Sequence, residues 1–138
     1  MRELFPVRTR DTHKGDYGKI LLLCGSTGLT GSAILAAKAA VRTGSGLVYL
    51  GVPEAIWSVC AVKNDEAMPF PLPCDASGKL TADALSPLRE YYDRCGVLAL
   101  GPGLGRSEGT AALTAALIRK FSGKIVLDAD ALWAVSLV

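Results

Sequence analysis

The chain has 138 residues, of which half are hydrophobic and a fifth are charged, and this composition is typical of one globular domain with a core of its own. Its formal net charge is only +2, from 15 basic and 13 acidic residues spread along the chain, so no basic stripe predicts a nucleic-acid partner. No apolar run has the length of a signal peptide or a membrane span, and we predict a cytoplasmic protein without a membrane partner.

The first predicted elements are a strand and a helix. The run KILLLCG at 19–25 is apolar without alternation, which is typical of a parallel strand buried on both faces. The segment SAILAAKAAVRTG then predicts a helix, with Ser32 capping its start and Gly44 its end. Its long polar side chains, Lys38 and Arg42, share one narrow face, so we expect the rest of that helix to be buried.

The remaining elements continue the same alternation of strands and helices. The stretch 64–80, which carries three prolines, interrupts it and is predicted to be an irregular connection. In chain order the other predictions are a strand at 46–52, a helix at 53–63, a helix at 81–94 that Pro87 kinks or restarts, a strand at 96–101, a helix at 107–121, a strand at 124–130 and a last helix beginning at Asp130.

Alternating strands and helices predict an α/β fold with three layers, in which helices cover both faces of a mostly parallel sheet. In such a sheet, ligands bind at the carboxyl ends of the strands. Those ends carry CGSTGLTGS, GVPE, GPGLGR and DADAL, so glycine-rich and acidic sequences converge on one edge. The sequence therefore predicts a ligand site at that edge.

The two glycine-rich loops leave two interpretations open. GSTGLTGS matches neither the dinucleotide fingerprint G-x-G-x-x-G nor the phosphate loop G-x-x-x-x-G-K-[ST]. It is either a tight corner or a turn whose backbone lines a ligand pocket, and GPGLG at 101–105 is likewise a rigid loop or a ligand-facing edge.

Acidic, histidine and cysteine residues complete the candidates. Asp128 and Asp130 follow a strand predicted to be buried, where a carboxylate needs a partner. We expect Asp130 to cap the next helix and Asp128 to face a ligand, whereas the lone His13 is assigned a structural role. Four cysteines without metal-ligand spacing predict reduced thiols, with no zinc site and no disulfide framework.

Several blocks in their order resemble one enzyme family. HKGDYGKILLLCGSTGLTGSAILAAKAAVRTGSGLVYLGVPE, DEAMPFPL, ALGPGLGR and VLDADALW, which extend from about Arg8 to Trp133, resemble the ADP- or ATP-dependent NAD(P)H-hydrate dehydratases of the ribokinase-like superfamily. The resemblance implies a repair lyase that removes water from NADHX or NADPHX and restores NADH or NADPH. It also implies ADP or ATP with Mg²⁺ as the driving nucleotide, and phosphorylation of the ring hydroxyl before elimination.

The resemblance also implies substrate-binding residues. The family's substrate-contacting alanine, just after the glycine of the first loop, falls on Ser32, which follows Gly31, and its Gly-Pro-Gly glycine falls on Gly103. Because the family domain is roughly twice as long, residues 1–138 are expected to form one domain, the amino-terminal half of that fold. The family's Gly-Thr-Gly-Asp motif with its catalytic base is then expected beyond Val138, and no catalytic residue is predicted in this chain.

Two alternatives stay open. One is a small-molecule kinase of the same superfamily, acting on a hydroxymethylpyrimidine or thiazole alcohol. The other is a non-catalytic half-domain whose exposed sheet edge pairs with another chain. The partners we expect are a small nucleotide substrate and further copies of the chain in a homo-oligomer.

Overall fold

The computed structural model describes residues 8–137, and the order of its elements follows the predicted alternation. Short 3₁₀ helices at Lys14–Tyr17 and Ala82–Ala84 accompany the regular elements. The strands are β1 (Lys19–Leu23), β2 (Leu47–Pro53), β3 (Met68–Leu72), β4 (Val97–Leu100) and β5 (Lys124–Leu127). The helices are α1 (Thr30–Arg42), α2 (Glu54–Lys63), α3 (Leu85–Tyr92), α4 (Glu108–Lys120) and α5 (Asp130–Val135).

The five strands form one parallel sheet in the order β3-β2-β1-β4-β5, with helices on both faces, so the predicted α/β class is confirmed. Alternate side chains of the central strands enter two separate cores. Leu22 and Leu50 pack with α1 and α2 on one face, and Leu21 and Leu98 pack with α3 and α4 on the other. Among the helices of the described residues, none has the length and apolar character needed to span a bilayer.

The prediction of an irregular connection over 64–80 is wrong in its first part, because β3 lies there. Its sequence MPFPL has prolines at alternate positions, Pro69 and Pro71, which donate no backbone hydrogen bond. β3 is an edge strand, so both prolines can face away from β2. The outward carbonyl of Pro69 instead accepts a hydrogen bond of 3.1 Å from Nε1 of Trp57.

The predicted burial and cap of α1 are also corrected. Leu35 is 70% exposed, while Ala33 and Ala37 face the sheet, because a helix on an open sheet buries only one side. The helix begins at Thr30, and its N-cap is Leu29 rather than Ser32. At the other end the expected glycine is confirmed, since Gly44 follows the C-cap with a φ of +98°.

The effect predicted for Pro87 is confirmed. A 3₁₀ turn at Ala82–Ala84 comes first, and α3 begins at Leu85 with Pro87 in its first turn. The missing N–H of proline costs nothing there, because first-turn N–H groups have no partner within the helix.

The prediction that β5 is buried on both faces is wrong. Ile125 and Leu127 pack against one core, but Val126 on the opposite face is 55% exposed. β5 is an edge strand, and no helix among the described residues covers that face. Asp128, which follows it, is therefore exposed rather than enclosed.

Candidate functional site

The loops after β1 and β4 meet at the carboxyl edge of the sheet and are joined by hydrogen bonds. The amide of Gly25 donates to the carbonyl of Pro102 at 2.9 Å, and the Ser26 hydroxyl donates to the carbonyl of Gly103 at 2.8 Å. The Ser26 side chain is buried, so this bond is shielded from water. The two glycine-rich sequences thus form one rigid unit.

Ser32 and Gly103, which the sequence places 71 positions apart, lie against each other in this unit. A Cβ on Gly103 would overlap the Ser32 hydroxyl oxygen, and the φ of Gly103 is +67°, so both space and backbone require glycine. The Ser32 hydroxyl donates to the carbonyl of Leu29 at 2.6 Å. Gly31 beside it is exposed, with no atom within 4 Å of a Cβ position, so its surface is open to a ligand.

The turn after β5 completes the same edge, and its backbone is unusual. The carbonyl oxygen of Asp128 packs so closely on Gly101 that a Cβ there would overlap it. Ala129 follows with φ 46° and ψ −116°, a conformation that side-chain-bearing residues rarely adopt. The carboxylate of Asp128 points to solvent and is free of hydrogen bonds from the described residues, so it is available to a ligand.

Asp130 does not cap α5 as predicted, and its carboxylate holds the neighbouring loop instead. One oxygen accepts from the amide of Gly105 at 3.0 Å, and the other accepts from Nε of Arg106 at 3.2 Å. The N-cap of α5 is Ala129, without a side-chain hydrogen bond. Arg106 also lies 5.6 Å from the centre of the Trp133 ring, so the loop is tied to α5 at two points.

A further loop belongs to the site and was not predicted. The segment 73–80 closes with an antiparallel bridge between Cys74 and Leu80 and carries a turn built on Asp75. The Asp75 carboxylate accepts from the Ser77 hydroxyl at 2.7 Å, the Ser77 amide at 2.8 Å and the Lys79 amide at 3.1 Å. These bonds, the Ser77 hydroxyl first, lower the pKa of Asp75.

This loop packs onto both glycine-rich loops. The amide of Thr27 donates to the carbonyl of Gly78 at 3.2 Å, and the methylenes of Lys79 would meet a Cβ on Gly105 at 3.0 Å. The Lys79 side chain thereby reaches the edge where Gly103 lies. The Asp-Ala-Ser-Gly-Lys sequence is typical of such a turn, but nothing in it predicts the contact with the loop after β1.

Cys24, which directly follows β1, is a thiol beside the site, and its reactivity is low. Burial, together with the smaller effect of the nearby negative charge of Asp128, raises its pKa to about 12. The thiolate is therefore scarce at neutral pH, and Cys24 fits a packing role rather than a nucleophile.

The described residues at this edge contain no ready-made cluster of metal ligands. Within 8–137, no three His, Cys, Asp or Glu side chains are arranged to hold a metal ion. The Asp130 carboxylate is already occupied by Gly105 and Arg106. We therefore derive no phosphoryl step from these residues, and the edge provides close backbone approach and one free carboxylate.

Comparison with known proteins confirms the resemblance. A family described as NAD(P)H-hydrate dehydratase matches residues 20–137. The bifunctional NAD(P)H-hydrate repair enzyme of Moorella thermoacetica is 43% identical over 135 residues, which is 98% of this chain and 26% of that protein. The enzyme of the same name from Dictyoglomus turgidum is 38% identical over 134 residues, again 26% of its length.

Solved structures show the same fold. An ADP/ATP-dependent NAD(P)H-hydrate dehydratase from Bacillus subtilis, co-crystallised with ATP/Mg²⁺, matches with a TM-score of 0.71 and 28% identity over 93% of this chain and 43% of that one. A ribokinase-like protein from Enterococcus faecalis matches with a TM-score of 0.80 at 19% identity, again over 43% of its chain. The chain spans about a quarter of the curated relatives and under half of these structures.

Proposed function

The chain belongs to the NAD(P)H-hydrate dehydratase family, and from that premise we propose that it forms the substrate-holding part of an enzyme that restores NADH or NADPH from NADHX or NADPHX. One observation carries the proposal: Ser32 and Gly103, the two positions that match the family's substrate contacts, lie against each other at the carboxyl edge. The relatives named above are repair enzymes by name.

In this proposal the chain's own residues position the hydrated ring. The open backbone at Gly31 lets the ring lie close to main-chain atoms, and the contact with Gly103 holds the Ser32 side chain beside it. The Ser26 and Asp130 hydrogen bonds hold that loop in place before substrate arrives, so binding orders little. The free carboxylate of Asp128 is suited to a substrate hydroxyl or amide.

We place the nucleotide and the catalytic base on residues outside this chain. ADP or ATP with Mg²⁺, when bound there, would turn the ring hydroxyl into a better leaving group. The residues at this edge would then act by orienting that hydroxyl toward the nucleotide. Activity of the 138 residues alone is accordingly expected to be absent.

The experiment compares the 138-residue chain with a version extended to the full family length. Each is assayed for ADP- and ATP-dependent recovery of NADH from NADHX. We expect turnover only from the extended protein. Equal turnover by the short chain would contradict our placement of catalysis, and phosphoryl transfer to a hydroxymethylpyrimidine or thiazole alcohol without NADHX repair would favour a kinase.

The Gly103→Ala variant of the extended protein tests the substrate contact. We expect KM for NADHX to rise at least tenfold, because the methyl group would displace the Ser32 side chain from its place beside the substrate, at an expected cost of about 1.4 kcal/mol or more. Gly18→Ala is the matched control: Gly18 also has a positive φ, of +79°, but nothing lies within 4 Å of its Cβ position. An equal rise in KM in both variants would reduce the effect to backbone strain.

The surface that joins this half to the rest of the enzyme is proposed to be the open edge of β5. Val126 on the strand is 55% exposed, and Leu132 on α5 is 54% exposed. The occupant that fits is the remaining half of the family fold, because the solved relatives are more than twice as long as the part that this chain matches. It would cover Val126 and pair with the unpaired backbone of β5.

Co-expression with that half, taken from the extended protein, tests the surface. We expect a stable one-to-one complex that Val126→Lys abolishes, while Val62→Lys, at a 79% exposed position on α2, leaves it intact. Self-association of the short chain that Val126→Lys disperses would instead support the predicted homo-oligomer. Failure of both would remove β5 as an interface.

A cytoplasmic location also stays a proposal. It is supported by the four cysteines, all of which are free thiols, three of them buried. Fractionation of the producing cells, followed by immunodetection, tests it. Recovery in a membrane or secreted fraction would contradict it.

A further inference from the structure

A second cleft opens at the opposite edge of the sheet, at the amino ends of β1, β4 and β5. Its volume is about 430 Å³, which lies within the range of small-molecule sites. Its apolar lining comes from Ile20 and Val97, which are neighbours in the parallel register of β1 and β4. The substrate edge described above lies at the other end of these strands and shares no residue with it.

Three cations line this cleft, and each comes from a different place in the chain. Lys19 is the first residue of β1, Arg94 follows α3, and Lys124 is the first residue of β5. Among the described residues that line the cleft, none is acidic. The fold therefore gathers positive charge that the sequence spreads over more than a hundred positions.

Two carboxylates close in sequence to the lining residues, Asp16 and Glu90, have partners of their own. Glu90 lies 4.0 Å from Arg94, but both side chains are more than half exposed, so the pair is weak. Asp16 accepts a hydrogen bond from the amide of His13 at 2.9 Å and lies 3.3 Å from its ring. Burial raises the pKa of Cys95, and the positive charges of Lys19 and Arg94 oppose that rise. The two cations therefore lie near the same thiol.

We propose that this cleft binds a small molecule that carries a phosphate group, with Lys19, Arg94 and Lys124 around the phosphate and Ile20 and Val97 against its apolar body. Three converging cations match a dianion better than a single carboxylate, and the guanidinium of Arg94 can donate two hydrogen bonds to phosphate oxygens. The apolar lining favours a phosphate ester over free phosphate. This function is separate from dehydration and does not depend on it.

The test titrates the 138-residue chain with phenyl phosphate, inorganic phosphate and phenol, followed by calorimetry and by backbone amide NMR shifts. Phenyl phosphate is chosen because it is not a nucleotide and does not probe the proposed repair site. We expect saturable binding in the order phenyl phosphate, inorganic phosphate, then phenol without binding. Amide shifts should map to Gly96 and its neighbours, and affinity should fall as salt shortens the Debye length from about 30 to 8 Å.

Substitutions then measure how much each lysine contributes to phenyl phosphate binding. Lys19→Gln and Lys124→Gln should each weaken phenyl phosphate about two- to fivefold, and the double variant should weaken it about four- to 25-fold. Lys38→Gln, which removes the same charge from the exposed face of α1, should leave affinity unchanged. Absence of saturable binding, an equal loss in Lys38→Gln, or shifts confined to 25–32 and 101–106 would overturn the proposal.

Discussion

The two edge strands of the sheet are finished in different ways. At β3, two prolines remove outward donors, Trp57 takes up the Pro69 carbonyl, and Leu72 is fully buried. At β5, no strand among residues 8–137 pairs with the outer backbone, and Val126 is more than half exposed. The β3 edge is therefore closed by its own side chains, whereas β5 keeps the open edge that we propose the rest of the family fold covers.

Leu72 and Val126 give the largest expected contrast between the edges. Leu72→Ala should lower the free energy of unfolding by about 2–5 kcal/mol, because it leaves a cavity at a buried site. Val126→Ala should change it by less than about 0.5 kcal/mol, because the side chain already contacts water. Urea unfolding measures both, and similar losses at the two positions would break the comparison.

The turn that follows β5 is fixed by the hydrogen bonds of Asp130, whereas the outer face of β5 makes few contacts. Substitution of Asp130 tests how much these bonds stabilise the fold. Asp130→Ala should destabilise the fold by about 1.5–3 kcal/mol, since the Gly105 amide loses a charged acceptor. Arg106→Ala, which removes only the more exposed partner, should cost less than about 1 kcal/mol. Thermal unfolding of the two variants measures both losses. A larger loss in Arg106→Ala would show that the ion pair, rather than the hydrogen bond from the Gly105 amide, stabilises the turn.

Between the edges, the central strand β1 should respond to alkaline pH through Cys24. Its folded pKa of about 12 lies above the ordinary value of 9.0, so its contribution is complete below pH 9 and is lost as pH rises toward 12. The loss for this thiol is at most about 1.4 kcal/mol per pH unit. Urea unfolding of the wild type and Cys24→Ala between about pH 8 and 10 measures it, and parallel curves would contradict it.

Trp57→Phe is the mildest test of the closed edge. It keeps an aromatic ring but removes the donor to Pro69, so we expect a loss of about 0.5–1.5 kcal/mol. Hydrogen exchange should quicken at Phe70 and Leu72, the residues of β3 that can donate to β2. Unchanged exchange would show that the prolines alone protect this edge.

Much of the fold could be predicted from local sequence patterns. Apolar runs without alternation predicted β1, β2 and β4, and Pro87 predicted the restart at α3, because both effects act over a few residues. β3 was not predicted, because prolines argue against a strand unless the strand lies at an edge. Edge position is a property of the whole sheet, which a short segment does not reveal. The exposure of Leu35 was not predicted for a related reason: in an alanine-rich helix, the sequence does not show which face packs on the sheet.

The candidate site was predictable in its loops and not in its bonds. The convergence of 24–32, 101–106 and 128–130 follows from parallel strands that share an edge. The role of Asp130 does not, because it depends on which distant backbone amide its carboxylate reaches, and that amide belongs to Gly105. The loop built on Asp75 was missed, since its neighbour, Thr27 in the loop after β1, is about 50 positions away.

The α/β class, the glycine-rich and acidic loops at one edge and the family could be predicted from the sequence, because these rest on local patterns and on the order of blocks along the chain. Three facts came from the packed structure alone: among the described residues β5 ends the sheet with an open face, Ser32 lies on Gly103, and Lys19, Arg94 and Lys124 share one cleft. Those facts depend on contacts between distant residues, which the packing of strands and helices creates and no local pattern records.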